Sequence, residues 1–290
     1  SEYFGPYSSL KTMKVLLAEH AGYCFGVKRA VELAIKTAQD NDNKVYTLGP
    51  LIHNNSAVDM LKEKNVFSVD DINNVEGDNI IIRSHGVGKE IYDHCSEKKI
   101  NLTDATCPFV KKIQKIAYEM YNKGYNIIII GDKSHPEVQG INGWCDNKAI
   151  IGKNLEEFYL IDFNKSEKYA VVVQTTMPQD TFFAVKEYLI SLGLTLELYN
   201  TICFATKERQ QAVLDLSKKV DAMLIVGGKH SSNTKKLAEI AKKNCDTFLI
   251  ETAKDIDLEK IKTYDIIGVG AGASTPDFII NEVMDLINEL

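Results

Sequence analysis

The strongest constraint on how this chain can fold is a passage it repeats three times: an apolar run breaks at a cysteine, and a helix-forming stretch starts there. The copies read VLLAEHAGYC-FGVKRAVELA, LTDATC-PFVKKIQKIA and LYNTIC-FATKERQQAV, and set Cys24, Cys107 and Cys203 at the turn. About 28 residues after each cysteine a second apolar run ends in a polar turn with a histidine: YTLGPLIHNN, IIIIGDKSHPE and LIVGGKHSSN, giving His53, His135 and His230. A helix and a third run follow in each copy, IIIRSHG with His85, VVVQTTMP with Thr175 and IIGVGAGASTPD with Ser274. Such self-similarity marks one supersecondary plan used repeatedly. The runs are continuously apolar, as parallel strands covered by helices on both faces require. The fold class expected is therefore α/β: three similar α/β domains over residues 13–104, 105–200 and 201–290, packed around a shared axis. Ligand-binding groups gather at the carboxyl ends of such strands.

Composition narrows the function classes. The apolar runs fall far short of the roughly 20 residues that cross a bilayer, so no membrane span is expected. Residues 1–12 show neither a basic nor an apolar leader pattern, and the first strand begins just after Met13, read as the native start behind a loose extension. A cytoplasmic protein is expected. A net charge of -6 without a clustered Lys/Arg stripe argues against nucleic acid or anionic membrane as partner.

A cysteine at the first turn of a helix has its thiolate stabilised by the aligned N–H groups, which suits a nucleophile or a metal ligand. One such cysteine is commonly a small buried hydrophobe; three at equivalent repeat positions point to a shared role for Cys24, Cys107 and Cys203. Cys95, Cys145 and Cys245 lack that setting and read as structural thiols. Zinc favours local C-x-x-C spacing or a fourth ligand, whereas iron-sulfur clusters tolerate dispersed cysteines. Three thiolates on a four-iron cubane leave one iron open to a substrate oxygen, which implies catalysis rather than simple electron transfer.

Around these cysteines lies a polar rim of His53, His85, His135, Thr175, Ser231, Asn233 and Ser274. Neutral donors and helix N-termini hold a phosphate or diphosphate without a cationic cluster. The plainer reading makes Ser231, Ser232 and Asn233 helix caps before KKLAEIAKK, and Ser274 and Thr275 a cap before a proline at the first helical position. Glu137, two residues after His135, is the carboxylate placed to move a proton, or simply a first-turn acid. His20, His94 and His230 are weaker candidates, with His94 inside a helix.

With these residues in hand, the chain resembles the 4-hydroxy-3-methylbut-2-enyl diphosphate reductases, which close the non-mevalonate isoprenoid pathway. The resemblance runs from Met13 nearly to Leu290 through G-Y-C-F-G-V-K-R-A, L-I-H-N, S-H-G-V, D-A-T-C-P, H-P-E-V, Q-T-T, I-C-x-A-T, S-S-N and A-G-A-S-x-P-D. It implies a pseudo-threefold trefoil of three α/β domains around one 4Fe-4S cluster ligated by Cys24, Cys107 and Cys203. It also implies a diphosphate held by His53, His85, His135, Ser231, Asn233 and Ser274, with Thr175 and Ser232 nearby. Glu137 matches the family's proton-relay carboxylate, and Glu137, Thr175 and His135 form the expected catalytic set. Arg83 before S-H-G and Phe25 after the first cysteine depart from the pattern without touching a ligand.

The implied reaction removes an allylic hydroxyl as water and yields isopentenyl and dimethylallyl diphosphate. With no G-x-G-x-x-G after a strand, electrons are expected from a ferredoxin or flavodoxin. A cluster-based redox sensor lacks a recognisable DNA-binding helix here, and a zinc hydrolase leaves the threefold cysteine pattern unexplained.

Overall fold

The structure, a computed structural model, describes residues 12–41, 44–52, 54–75 and 79–290. Runs such as NIIII and KYAVVV are rich in β-branched residues that suit a pleated, covered surface, and they form strands. The twelve described strands are β1 (Lys14–Leu17), β2 (Val45–Leu48), β3 (Val66–Val69), β4 (Asn79–Ile82), β5 (Asn101–Asp104), β6 (Asn126–Ile130), β7 (Ile150–Gly152), β8 (Lys168–Val173), β9 (Thr195–Leu198), β10 (Ala222–Val226), β11 (Asp246–Ile250) and β12 (Ile266–Ala271). They build three four-stranded sheets, ordered β3-β2-β4-β5, β7-β6-β8-β9 and β11-β10-β12-β1, with every pairing parallel. The α/β class read from the sequence is what the chain adopts.

The order reveals how the repeat folds. In each sheet the first strand of the copy lies second, and the fourth lies at the edge. Those edge strands, β5, β9 and β1, are the ones that run into Cys107, Cys203 and Cys24. The strand that precedes a cysteine thus finishes a sheet; it does not open one. Lys14–Leu17 therefore pairs with Ile266–Val269 of β12, not with the strands that follow it in sequence. β5 and β9 supply the fourth strand of their own sheets, and β1 fills the corresponding edge of the third. Placing Lys14–Leu17 with the 45–104 strands, as the linear repeat does, is corrected accordingly.

Two compact units result, the segment ending at Gly22 with Glu208–Leu290, and Tyr23–Lys207. In the larger unit, helices α1 (Phe25–Asn41), α2 (Asn55–Glu63), α3 (Lys89–Lys98), α4 (Pro108–Asn122), α5 (Pro136–Gly143), α6 (Leu155–Tyr159) and α7 (Gln179–Ser191) flank two sheets. Helix α8 (Phe204–Ser217) starts in this unit; α9 (Ser232–Lys242), α10 (Leu258–Ile261) and α11 (Asp277–Asn288) complete the other. Each face of the 126–198 sheet has its own core, Ile127, Ile129 and Val172 under α4 and α5 on one side, Ile128, Ile130 and Val171 under Phe182 and Leu189 on the other. Val226, Val269 and Ile279 anchor a core of the smaller unit. Among the described residues no helix is long and apolar enough to cross a membrane. Residues 1–11, read as a loose extension, lie outside the described ones.

Ile129 is fully buried and pairs with both Ile151 and Val172. Ile129→Ala is expected to cost about 2–5 kcal/mol through lost burial and the cavity left behind. Urea denaturation followed by circular dichroism measures it, and a change below about 1 kcal/mol contradicts a tightly packed sheet interior.

Candidate active site

All three repeat cysteines lie in the unit Tyr23–Lys207, each at a helix start. Cys24 and Cys203 precede α1 and α8, and Cys107 is the N-cap of α4 without using its side chain to cap. The backbone fixes two of them to neighbouring strand ends. The Cys107 N–H donates to the Ser84 carbonyl at 3.0 Å, and the Cys203 N–H donates to the Thr175 carbonyl at 2.9 Å. The residue after Ser84 is His85, and Thr175 itself is a candidate, so each thiol and its polar neighbour are set by one hydrogen bond.

The thiols sit near one another. Burial pushes the Cys107 thiol up, the N–H groups of Phe109 and Val110 draw it back, and the charges of Cys24 and Cys203 push it up further. Cys203 behaves alike: burial raises it, the N–H groups of Ala205 and Thr206 oppose, and Cys24 and Glu137 add to the rise. Gly26, in the first turn of α1, packs on Cys107 so closely that a Cβ there would stand 2.6 Å from Sγ. Only glycine lets the first turns of α1 and α4 come together this way. Cys95 and Cys145 are buried, and burial raises both thiols, Cys145 to about 11, as inert core cysteines.

Glu137 is 2% exposed, in the first turn of α5. Both of its oxygens are taken by one residue: the Thr175 N–H donates to Oε1 at 2.7 Å, and the Thr175 hydroxyl donates to Oε2 at 2.7 Å. Burial outweighs these two bonds and lifts the carboxyl to about 7. An acid so placed is half protonated at neutral pH, which is the condition for giving up a proton there.

Next to it, His135 is the N-cap of α5, its Nδ1 accepting the Glu137 N–H at 3.1 Å. A neutral ring therefore carries its proton on Nε2, away from the helix. The His85 ring meets His135 edge to face at 5.2 Å. His85 sits in a loop that turns at Gly86, where φ is +73° and a Cβ would collide with Gln114. The Val87 carbonyl just beyond accepts from Trp144 Nε1 at 3.0 Å and from Gln114 Nε2 at 3.4 Å. On the other side Gln174, 2% exposed, accepts the Asp132 N–H at 2.9 Å and steadies the loop that leads to His135.

Sequence reasoning singled out His85, His135, Glu137 and Thr175, and the fold brings them together as two directly contacting pairs. It did not single out Gln114, Trp144 or Gln174, whose roles are long-range contacts; the signals were that Trp144 is the single tryptophan of the chain and that Gln174 opens the Q-T-T motif. His53 lies outside the described residues. Arg83, noted only as a departure, lies with its guanidinium over Gly49, and burial lowers its pKa.

The smaller unit carries the remaining candidates at the carboxyl ends of β10 and β12. Ser231 caps α9, its hydroxyl accepting the Thr234 N–H at 3.3 Å, and Ser232 is exposed in the first turn. The capping reading thus holds for Ser231. It does not account for Asn233, which is 7% exposed with neither amide atom hydrogen-bonded among the described residues. A buried amide with open donors and acceptor is costly unless a ligand takes them. Ser274 is half-buried, while its neighbour Thr275 is fully buried and donates to the Val226 carbonyl at 2.8 Å. Pro276 itself, not Ser274, is the N-cap of α11, so the proline stands one position earlier than the sequence pattern placed it. His94 lies within α3, and His20 is an exposed partner of Glu208 at 4.0 Å.

Three thiols at helix starts beside a buried, half-protonated acid define an α/β protein built for ligand-assisted proton and electron chemistry. The family model described as LytB protein matches residues 15–288, and the chain belongs to that family. It is 49% identical over 283 residues to the 4-hydroxy-3-methylbut-2-enyl diphosphate reductase of Thermoanaerobacter sp. (strain X514), a match covering 96% of this chain and 98% of that protein. A solved structure of (E)-4-hydroxy-3-methyl-but-2-enyl diphosphate reductase, the terminal enzyme of the non-mevalonate pathway, is similar at 40% identity and a TM-score of 0.73, covering 96% of this chain and 100% of that one. The structure of the E-1-hydroxy-2-methyl-but-2-enyl-4-diphosphate reductase from Plasmodium falciparum aligns at 28% identity with a TM-score of 0.88, over 96% and 88% of the two chains.

Thr175→Val removes the hydroxyl that donates to Glu137 but keeps the N–H bond. Because that hydroxyl holds the carboxyl down, its loss is expected to move the protonation midpoint upward from about 7. The carboxyl stretching band in a pH-dependent infrared titration reads the midpoint, and an unchanged or lowered value contradicts the pairing.

Proposed function

We propose that this protein catalyses the reductive dehydroxylation of (E)-4-hydroxy-3-methylbut-2-enyl diphosphate to isopentenyl diphosphate and dimethylallyl diphosphate. The observation that carries the reading is Glu137: a fully buried carboxyl lifted to about 7, gripped by Thr175, and within the electrostatic reach of Cys203. The reaction takes up two electrons and two protons, breaks the allylic C–O bond, and releases water.

Cys24, Cys107 and Cys203 are the residues that would hold a 4Fe-4S cluster, one per chain. The donor set fits it. Each of the three thiols stands at a helix start, where free N–H groups favour the thiolate form that iron requires. Cysteines dispersed along the chain are ligands that iron-sulfur clusters accept and structural zinc sites seldom use. When bound, such a cluster supplies single electrons and, with three protein ligands, an open iron for the allylic oxygen.

The chain's own residues then perform binding and proton delivery. His85 and His135 present neutral donors to the diphosphate, a role also assigned to His53. Asn233, with its open amide, is assigned to the diphosphate as well, together with Ser231, Ser232 and Ser274. Anchoring the diphosphate fixes where the allylic end lies, which converts binding into orientation. Glu137, protonated in about half the molecules near neutral pH, gives its proton toward the departing hydroxyl, with Thr175 holding the carboxyl in register. Burial keeps bulk water from competing for that proton. A ferredoxin or flavodoxin is assigned as the electron donor, and a cytoplasmic location is assigned with it.

The test of the whole reading is anaerobic purification with iron and sulfide analysis, then turnover with reduced methyl viologen. About four irons and four sulfides per chain with release of the two alkenyl diphosphates is the expected result; about one zinc, or no product at full iron content, overturns it. For Cys107→Ser, loss of the cluster absorbance is expected, because a hydroxyl ligates iron poorly beside a thiolate.

Glu137→Gln is expected to keep its iron and to turn over about 10² times more slowly, the scale of one general acid. The acid form is the active one, so wild-type activity falls as pH rises through about 7. The variant loses that alkaline limb. Undiminished turnover, or the same limb in the variant, removes Glu137 from the proton path.

A further inference from the structure

Against the loop that carries His85, the unit Tyr23–Lys207 holds a cavity of about 340 Å³. Its walls are the first two turns of α3, the end of α4, and the end of α5 with the turn beyond it. The volume falls within the roughly 300–1,000 Å³ of small-molecule sites. None of the residues assigned to the cluster or to the diphosphate lines it.

Tyr118, Tyr121 and Trp144 are its aromatic lining. Packing fixes the tryptophan, whose ring meets Tyr118 edge to face at 5.8 Å and Tyr92 at 5.5 Å. Its indole N–H is already given to the Val87 carbonyl at 3.0 Å, so what Trp144 still offers a ligand is its ring. Three carboxylates, Glu90, Asp93 and Asp146, share the walls with one cation, Lys89. Two of these acids have partners. Lys89 Nζ donates to both Asp93 oxygens at 3.0 and 2.7 Å, and the Tyr121 hydroxyl donates to Asp146 at 3.0 Å. The Glu90 carboxylate takes neither a hydrogen bond nor an ion pair among the described residues. Two glycines make its place: a Cβ on Gly88 would stand 2.2 Å from Glu90 Oε2, and a Cβ on Gly143 2.8 Å from it. Without side chains there, the free carboxylate settles on the backbone next to Trp144.

The wall chemistry selects the ligand. Aromatic rings beside a carboxylate recognise a positively charged organic group, which the ring quadrupole and the negative charge both attract. A surplus of acids concentrates cations in a cleft and turns phosphorylated compounds away. A bare divalent ion fits poorly, since it needs several oxygen ligands at once and only Glu90 is uncommitted. We propose that this cavity binds a small organic ammonium ion, a primary or quaternary amine held between Glu90 and the rings of Trp144 and Tyr118. The site goes beyond the reductase reading and does not rest on it.

Trp144 is the single tryptophan of the chain, so its fluorescence reports on this cavity directly. The probes are spermidine and choline, titrated into anaerobically prepared holoenzyme at fixed ionic strength, with calorimetry in parallel and magnesium chloride as the inorganic control. A saturable change with one-to-one stoichiometry is expected for one amine or both. Glu90→Gln and Tyr118→Leu are each expected to weaken it about tenfold, the scale of one contact to a partly desolvated cation. Glu63→Gln, which removes the same charge outside the cavity, should bind as wild type does. No saturable response to either amine overturns the proposal, as does wild-type affinity in Glu90→Gln. An equal loss in Glu63→Gln overturns it too, by reducing the effect to diffuse charge. Magnesium that displaces the amine at equal concentration does the same, by making the occupant a metal ion. If Tyr118→Leu changes the far-ultraviolet circular dichroism, Glu90→Gln decides alone, because that carboxylate is exposed and bonds to none of the described residues.

Discussion

Two backbone hydrogen bonds govern how this unit works: the Cys107 N–H to Ser84, and the Cys203 N–H to Thr175. In a parallel sheet the ends of neighbouring strands lie side by side, and Ala105 and Tyr199 continue the pairing just past β5 and β9. Each cysteine comes a few residues later, and the carbonyl its N–H finds lies just past the end of the neighbouring strand. A thiol at a helix start and a polar group at a strand end are thereby locked at one register. Moving either requires breaking a buried backbone bond, which leaves both partners unsatisfied. The same plan, used more than once, makes several cysteines converge without any local metal-binding motif.

Glu137 shows what this locking achieves. Thr175 contributes its carbonyl to Cys203 and its N–H and hydroxyl to Glu137, so one residue ties a thiol to an acid. Two donors on a carboxylate favour the charged form, and burial favours the neutral one. Burial wins, but only to about 7, because both donors remain. A more exposed acid would be ionised at neutral pH and unable to donate; one equally buried without Thr175 would hold its proton too firmly. The compromise depends on a contact 38 residues apart in sequence.

That separation explains which features were legible in the sequence. The strands, their parallel pairing and the cysteines at helix starts follow from local patterns: continuous apolar runs, a cysteine before a helix-forming stretch, a polar turn with histidine. His135 at a helix start and Glu137 two residues later are equally local. The exchange of Lys14–Leu17 into the sheet of β10–β12 is not, because the sequence of β1 differs in no way that names its partner; only the shortage of one edge strand does. The grip of Thr175 on Glu137, the edge-to-face histidines, and the loop held at Val87 by Gln114 and Trp144 likewise arise only when the two sheets of the larger unit pack. Capping potential at Ser231 was visible, yet the burial and open amide of Asn233 two residues on were not, since burial is a property of the assembled fold.

The distribution of polarity around the cysteines follows from the same geometry. A helix start points its free N–H groups at the thiol, which favours the thiolate, and none of the three helices carries an acid in its first turn to compete for them. On the inner side His85 and His135 set their rings beside the Glu137–Thr175 pair, which suits an anionic ligand in a chain of net charge -6 without a lysine or arginine cluster. At the same helix starts Phe25, Phe109 and Phe204, one or two positions past each cysteine, are left exposed. One structural device, a cysteine between a strand and a helix, thus sets Cys107 and Cys203 beside the polar groups at a neighbouring strand end, where the acid and the histidines gather.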